Sequence, residues 1–186
     1  MTCSVSTTRS SSHDEARAVG TRLAAVESRL RMIEKERTMS ADYVVKSLPA
    51  VRLVARTAKL EFEQLSERIG PMFDAVAAGL GHIPGALATP IATYSMTEAG
   101  MDVATGYAYA GEAPPGTDVV ELPAVDAVCG VHLGPMATIG ESWQAMHRWI
   151  VDNGYEFAGP CRELYVRAEG EDQADWVTEL QQPIRR

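Results

Sequence analysis

The stretch IGESWQAMHRWIVDNGYEFAGPCRELYVR, Ile139–Arg167, holds a helix, its stop and a strand in succession. Ile139, Trp143, Met146 and Ile150 recur at spacings of four, three and four, one apolar stripe of the kind that lies on a sheet. Asp152-Asn153-Gly154 supplies the glycine that ends such a helix. In GPCRELYVRAE, Cys161, Glu163 and Tyr165 then alternate with Arg162, Leu164 and Val166. A strand sends successive side chains to opposite faces, so Glu163 and Tyr165 lie side by side, and Leu164 and Val166 share the other face.

The same signals occur earlier in the chain. IGPMFDA from Ile69 matches IGESWQA from Ile139, each with an aromatic three residues after its glycine. IATYSM, with Tyr94, matches RELYVR, with Tyr165, and VVKSLPAV at Val44–Val51 returns as VVELPAV at Val119–Val125. Three matches in one order imply a duplicated unit. Each copy reads as strand, helix, strand, strand, in units 42–111 and 118–184. The expected fold is α+β: two pseudo-symmetric units forming a sheet-lined cleft. Ile69, Phe73, Val76 and Leu80 make the stripe of the first helix. Pro71 suits a first helical turn, and Gly79 and Gly81 suit the exit.

The duplication is unequal at one place. Aligned on the tyrosines, Glu163 falls opposite Ala92, whereas Tyr165 has its twin in Tyr94. A buried carboxylate without partners is strongly unfavourable, so its presence needs a reason. One reading is a strand face open to water, or an ion pair with Arg56 or Arg162. The other is a ligand-facing pocket in which Glu163 supplies charge, with Tyr165, Tyr94, Tyr107 and Trp143 as its aromatic walls. Tyr107 and Tyr109 alternate onto one face of TGYAYAG and extend such a wall; packing alone accounts for any single tyrosine equally well.

The rest of the sequence narrows the chemistry. The chain has 186 residues and a formal net charge of -8, with no block of Lys or Arg, which argues against direct binding to nucleic acid and favours cationic or neutral ligands. Its three cysteines, Cys3, Cys129 and Cys161, have no framework spacing and read as reduced thiols in the cytoplasm. No apolar run suits export or a membrane span. GLGHIPG follows a helix instead of opening one, so its amides do not face a phosphate. Cys129 and His132 lie three apart in a β-like run and point to opposite faces, which excludes a metal pair. No nucleophile elbow or zinc-hydrolase spacing occurs, and no cofactor or metal is expected.

Residues 1–12 are Ser/Thr-rich and read as disordered. Over 13–38 the apolar positions Ala16, Val19, Leu23, Val26, Leu30 and Ile33 alternate by three and four, the seam of a coiled coil. Arg22 and Arg29 fall at g and Glu27 and Glu34 at e, so a parallel partner meets opposite charge. The seam is short and contains Gly20, so the helix needs a partner or its own domain to hold it. A homodimer through residues 16–33 is expected; a helix packed back on its own domain is the alternative.

Taken in order, LPA, IGESW…WIVDNGYEFAGPCRELY and the closing DWVTELQQPI resemble the gyrase-inhibitor-like, or AraC-type effector-binding, domain family over roughly Tyr43–Ile184. The resemblance implies a small-molecule-binding fold of two strand-helix-strand-strand units around a cleft. It also implies that Glu163, in its E-x-Y pair, anchors cationic drugs. The preceding segment resembles the dimerisation helix and hinge of MerR-type multidrug regulators, without their winged helix. This implies a shortened regulator or a free-standing ligand binder. A subset of the family resembles hydrolases that open cyclopropane-type alkylating compounds, which would use Glu163 or Glu179 as general acid or base. The expected function is binding of lipophilic, cationic or planar compounds for sensing or sequestration, with that hydrolase as the alternative.

Overall fold

A computed structural model describes residues 43–81, 89–98, 100–170 and 172–186, all within the compact unit Asp42–Arg186. The expected disordered start at 1–12 and the coiled-coil-like helix at 13–38, with its seam at 16–33, lie outside the described residues. The first half contains β1 (Val44–Leu48), β2 (Val51–Leu60), α1 (Leu65–Leu80), β3 (Pro90–Thr97) and β4 (Gly100–Ala108). The second repeats the series as β5 (Asp118–Leu122), β6 (Val125–Leu133), α2 (Ile139–Asp152), β8 (Cys161–Arg167) and β9 (Val177–Arg185), with a two-residue β7 (Glu156–Phe157) added. The α+β duplication is therefore present.

The expected single first strand of each unit is broken in two. Both breaks fall at Leu-Pro-Ala, because proline cannot donate to a ladder and biases the residue before it. The two halves then exchange the freed strands. β1 pairs antiparallel with β6 of the second half, Leu48 opposite Val125, and β5 pairs with β2 of the first half, Leu122 opposite Val51. The sheet order is β1-β6-β9-β8-β3-β4-β2-β5, so each half lends its first strand to the edge of the other.

The halves meet where β8 pairs with β3, and there Ala92 lies directly opposite Glu163. These two residues are also equivalents in the duplication, so the pseudo-twofold axis passes between them. Both helices lie on the Glu163 face. Met72, Val76 and Leu80 of α1 bury against Leu60, Val54 and Val103, while Met146 and Ile150 of α2 bury against Val128, Leu180 and Ile184. Each such side chain, fully buried, contributes roughly 1.5–3 kcal/mol of apolar transfer.

A further cluster, including Leu53, Ala55, Ile91 and Leu122, fills the other face. Leu48 and Leu122, at the ends of opposite edge strands, line one pocket there with Ile91 and Arg162 from the centre, so the sheet curls around it.

Pro71 does not sit in a first turn. A 3-10 turn at Phe62–Gln64 starts the helical path early, and Pro71 falls inside α1 on an exposed surface. There water can serve the carbonyl that the proline leaves without a donor. The helix exits match expectation: α1 ends at Gly81, φ 54°, and α2 is followed by Gly154, φ 75°.

Candidate functional site

Glu163 stands mid-strand in β8 on the helix-covered face and is 5% exposed. Its side chain accepts three hydrogen bonds: Oε1 from Trp143 Nε1–H at 2.8 Å, and Oε2 from the hydroxyls of Tyr165 at 2.7 Å and Tyr94 at 2.9 Å. Each donor is placed by the repeat. Tyr165 is two residues along the same strand and Tyr94 is its twin on β3, so the phenols flank the axis. Trp143 comes down from the apolar stripe of α2. Each phenol has one proton, spent on Oε2, so the 3.2 Å between the two phenol oxygens is a close contact of two acceptors.

All three donors are neutral. Neither arginine considered in the sequence reaches the carboxylate: Arg56 donates to the carbonyl of Gly116 and Arg162 to that of Pro123. Among the described residues, no ion pair includes Glu163. Burial pushes the phenols of Tyr94 and Tyr165 well above 10, and the Glu163 charge adds to it, so both remain protonated donors at neutral pH. Cys161, on the same face, is pushed up to about 12 by burial and then by Glu163, which keeps it a thiol and not a nucleophile.

The sequence therefore brings Glu163, Tyr165, Tyr94 and Trp143 together. Tyr107 stands further out. It is half-buried with Tyr109 beside Val54, Val76 and Leu80, and its phenol is raised by burial and by Asp74. Phe73 joins it to the cluster, its ring 6.1 Å from that of Tyr107 and 5.4 Å from that of Tyr165, both edge-on. By its stripe alone Phe73 reads as core. Its alignment with Trp143, three residues after the helix glycine, is the signal that it belongs to the wall. Glu179 is not in this cluster: it lies opposite Leu164 on the other face of the sheet, where it accepts from Gln181 at 2.9 Å and pairs with Lys46 at 3.3 Å.

The carboxylate is roofed by its own donors, with Trp143 and Tyr94 half-buried. Two cavities lie away from it, one of about 140 Å³ inside the curl of the sheet and a groove beside His147 and Phe157. Glu163 is buried and both its oxygens already accept hydrogen bonds, so a further partner would compete with Tyr94, Tyr165 or Trp143 for them. His132 serves structure, bonding Ser142 at 2.9 Å through Nδ1 and the Pro135 carbonyl at 3.1 Å through Nε2. Among the described residues no group of three His, Cys, Asp or Glu could hold a metal, and no helix is long and apolar enough to cross a membrane.

The sequence profile of the GyrI-like small molecule binding domain matches residues 41–185. No curated protein matches the chain in sequence. Among solved structures, the chain is similar to EcmrR in a DNA complex, at 24% identity and TM-score 0.64 over 96% of this chain and 70% of that one. It is also similar to SAV2435 bound to tetraphenylphosphonium, at 14% identity and TM-score 0.57 over 77% of this chain and 94% of that one. A hydrolase from Listeria innocua has 11% identity and TM-score 0.51, over 82% and 98% of the two chains. At these identities the likenesses establish the fold.

Proposed function

The chain belongs to the GyrI-like small-molecule-binding domain family, and on that premise we propose that it binds lipophilic cations, with Glu163 as the charge and the surrounding aromatics as the walls. One observation carries the reading: a buried carboxylate held by three neutral donors and by no cation among the described residues. A lipophilic cation that displaces Tyr94 or Trp143 gives this charge its missing counter-ion, and the rings add cation–π attraction and area. Planar and bulky shapes are both accommodated, because aromatic faces are tolerant. SAV2435, of the same fold, is described bound to such a cation.

The biological use we propose is ligand sensing for transcriptional regulation, in line with the fold of EcmrR and with the resemblance of the preceding sequence to a MerR-type dimerisation segment, or else sequestration of the compound. A homodimer through residues 16–33 goes with this reading. Replacing Leu23 and Leu30 with glutamate is expected to halve the light-scattering mass, and a monomeric wild type would remove the dimer. In the hydrolase alternative the acid or base within the aromatic cluster is Glu163, because Glu179 lies on the other face of the sheet and pairs with Lys46.

A thermal-shift titration tests the binding claim. Tetraphenylphosphonium at a hundredfold over its Kd is expected to add about 2.7 kcal/mol of apparent stability, and neutral triphenylphosphine oxide much less. Equal shifts for both compounds, or none, would defeat it.

A further inference from the structure

The pocket inside the curl of the sheet lies on the face opposite Glu163, at the same pseudo-twofold axis. Its walls are apolar: Pro49, Val51, Ile91, Leu122 and Leu164. Into them projects Arg162, 4% exposed, whose guanidinium makes one hydrogen bond among the described residues, from Nη2–H to the Pro123 carbonyl at 3.1 Å. Gln181, the other polar lining residue, gives its amide to Glu179, which Lys46 also holds. No carboxylate of a described residue lies within ion-pair distance of Arg162.

A guanidinium has five donors in a planar fork that matches a carboxylate. Its remaining N–H groups have no protein partner among the described residues and are not among the fully buried unpaired atoms, so they face the open volume of the pocket, where water or a ligand takes them. The scaffold does not require the guanidinium, since the equivalent residue of the first half is Ile91. The volume, about 140 Å³, is close to that of the engineered cavity that takes benzene, roughly 150 Å³.

We propose that this pocket is a second binding site, for a small monocarboxylate with a compact apolar body, of the size of an aromatic acid. The carboxylate meets the Arg162 fork and the ring packs among Val51, Ile91, Leu122 and Leu164. A single cation in an apolar wall suits one negative charge and not a phosphate dianion. The Leu-Pro-Ala turns that exchange β1 and β5 close the pocket, so its occupant touches both halves of the molecule. The inference is independent of the Glu163 reading, because ligand charge and sheet face are both opposite.

The test is titration of the protein at pH 7 with benzoate, followed by amide NMR, with benzamide as the neutral match. Saturable one-to-one binding is expected, with shifts centred on residues 49–51, 91, 122 and 162–164 and benzamide at least about tenfold weaker. Val51→Trp, which fills the pocket without touching Arg162, is expected to abolish benzoate binding, as is Arg162→Gln. If Arg162→Gln does not fold, the benzoate-to-benzamide ratio and Val51→Trp still decide. Shifts scattered over surface Lys and Arg, absence of saturation, or equal affinity for benzamide would overturn the proposal.

Discussion

The two halves of the domain share one scaffold and differ where they touch. Across the axis, Ala92 faces Glu163; one step out, Thr105 occupies in the first half the place of Leu180 in the second. Above them Phe73 of α1 stands where α2 has Trp143, and behind them Ile91 stands where β8 has Arg162. A symmetric fold that puts two equivalent positions in direct contact has room for one buried charge there, not two. The charge went to the half whose helix supplies an indole N–H, and the other half contributes a methyl group, a ring edge and the Tyr94 hydroxyl. Arg162 and Glu163, adjacent in one strand, carry the asymmetry to both faces of the sheet.

The largest effect is expected from restoring the symmetry. Ala92→Glu would place a second carboxyl against Glu163 in a fully packed site and destabilise the domain by about 3 kcal/mol or more in urea unfolding at pH 7. The introduced carboxyl would keep its proton in the folded state, so this loss should shrink as the pH is lowered from 8 to 5. A loss that does not change with pH would mean that volume, not charge, excludes a second acid.

Trp143→Phe makes the second helix resemble the first and leaves Oε1 of Glu163 without its donor, an expected cost of about 1–3 kcal/mol. A neutral result would show that the indole is there for area alone. The alkaline limb is expected to report the two phenols. Their folded pKa values are raised above 10 mainly by burial, so their contribution is complete below pH 10 and is lost as the pH rises beyond it. Phenylalanine at both positions should flatten this limb. The smallest effect belongs to Thr105, whose buried hydroxyl finds no partner among the described residues. Thr105→Val is expected to be neutral or stabilising by up to about 1 kcal/mol, and a clear destabilisation would reveal an unseen partner for it.

Much of the fold and site is legible in sequence because it is local. The helix stripes, the alternation around Glu163 and the repeat of Tyr94 as Tyr165 depend on periods of 3.6 and 2, and they place the carboxylate beside both phenols once the strands pair. The exchange of β1 and β5 is not legible. Leu-Pro-Ala announces a break, but which edge receives the freed strand is decided by pairing between residues that are distant in sequence. Phe73 reads as core for a similar reason: a helical stripe wide enough to cover a sheet does not tell which ring leans toward the axis. Glu179 joins Glu163 by resemblance alone, and the register of β9 against β8 puts it on the other face. Pro71 falls beyond the first turn because the start of α1 is set by the Glu61–Gln64 cap, upstream of the apolar stripe.

Whether the carboxylate on the axis reads ligand charge is decided by four calorimetric affinities: tetraphenylphosphonium and triphenylphosphine oxide, each with the wild type and with Glu163→Gln at one salt concentration. The substitution is expected to weaken the cation by about 1.5–3 kcal/mol, roughly tenfold to a hundredfold, and to leave the neutral compound unchanged. Equal losses for the two compounds, or undiminished binding of the cation, would contradict a charge-reading role for Glu163.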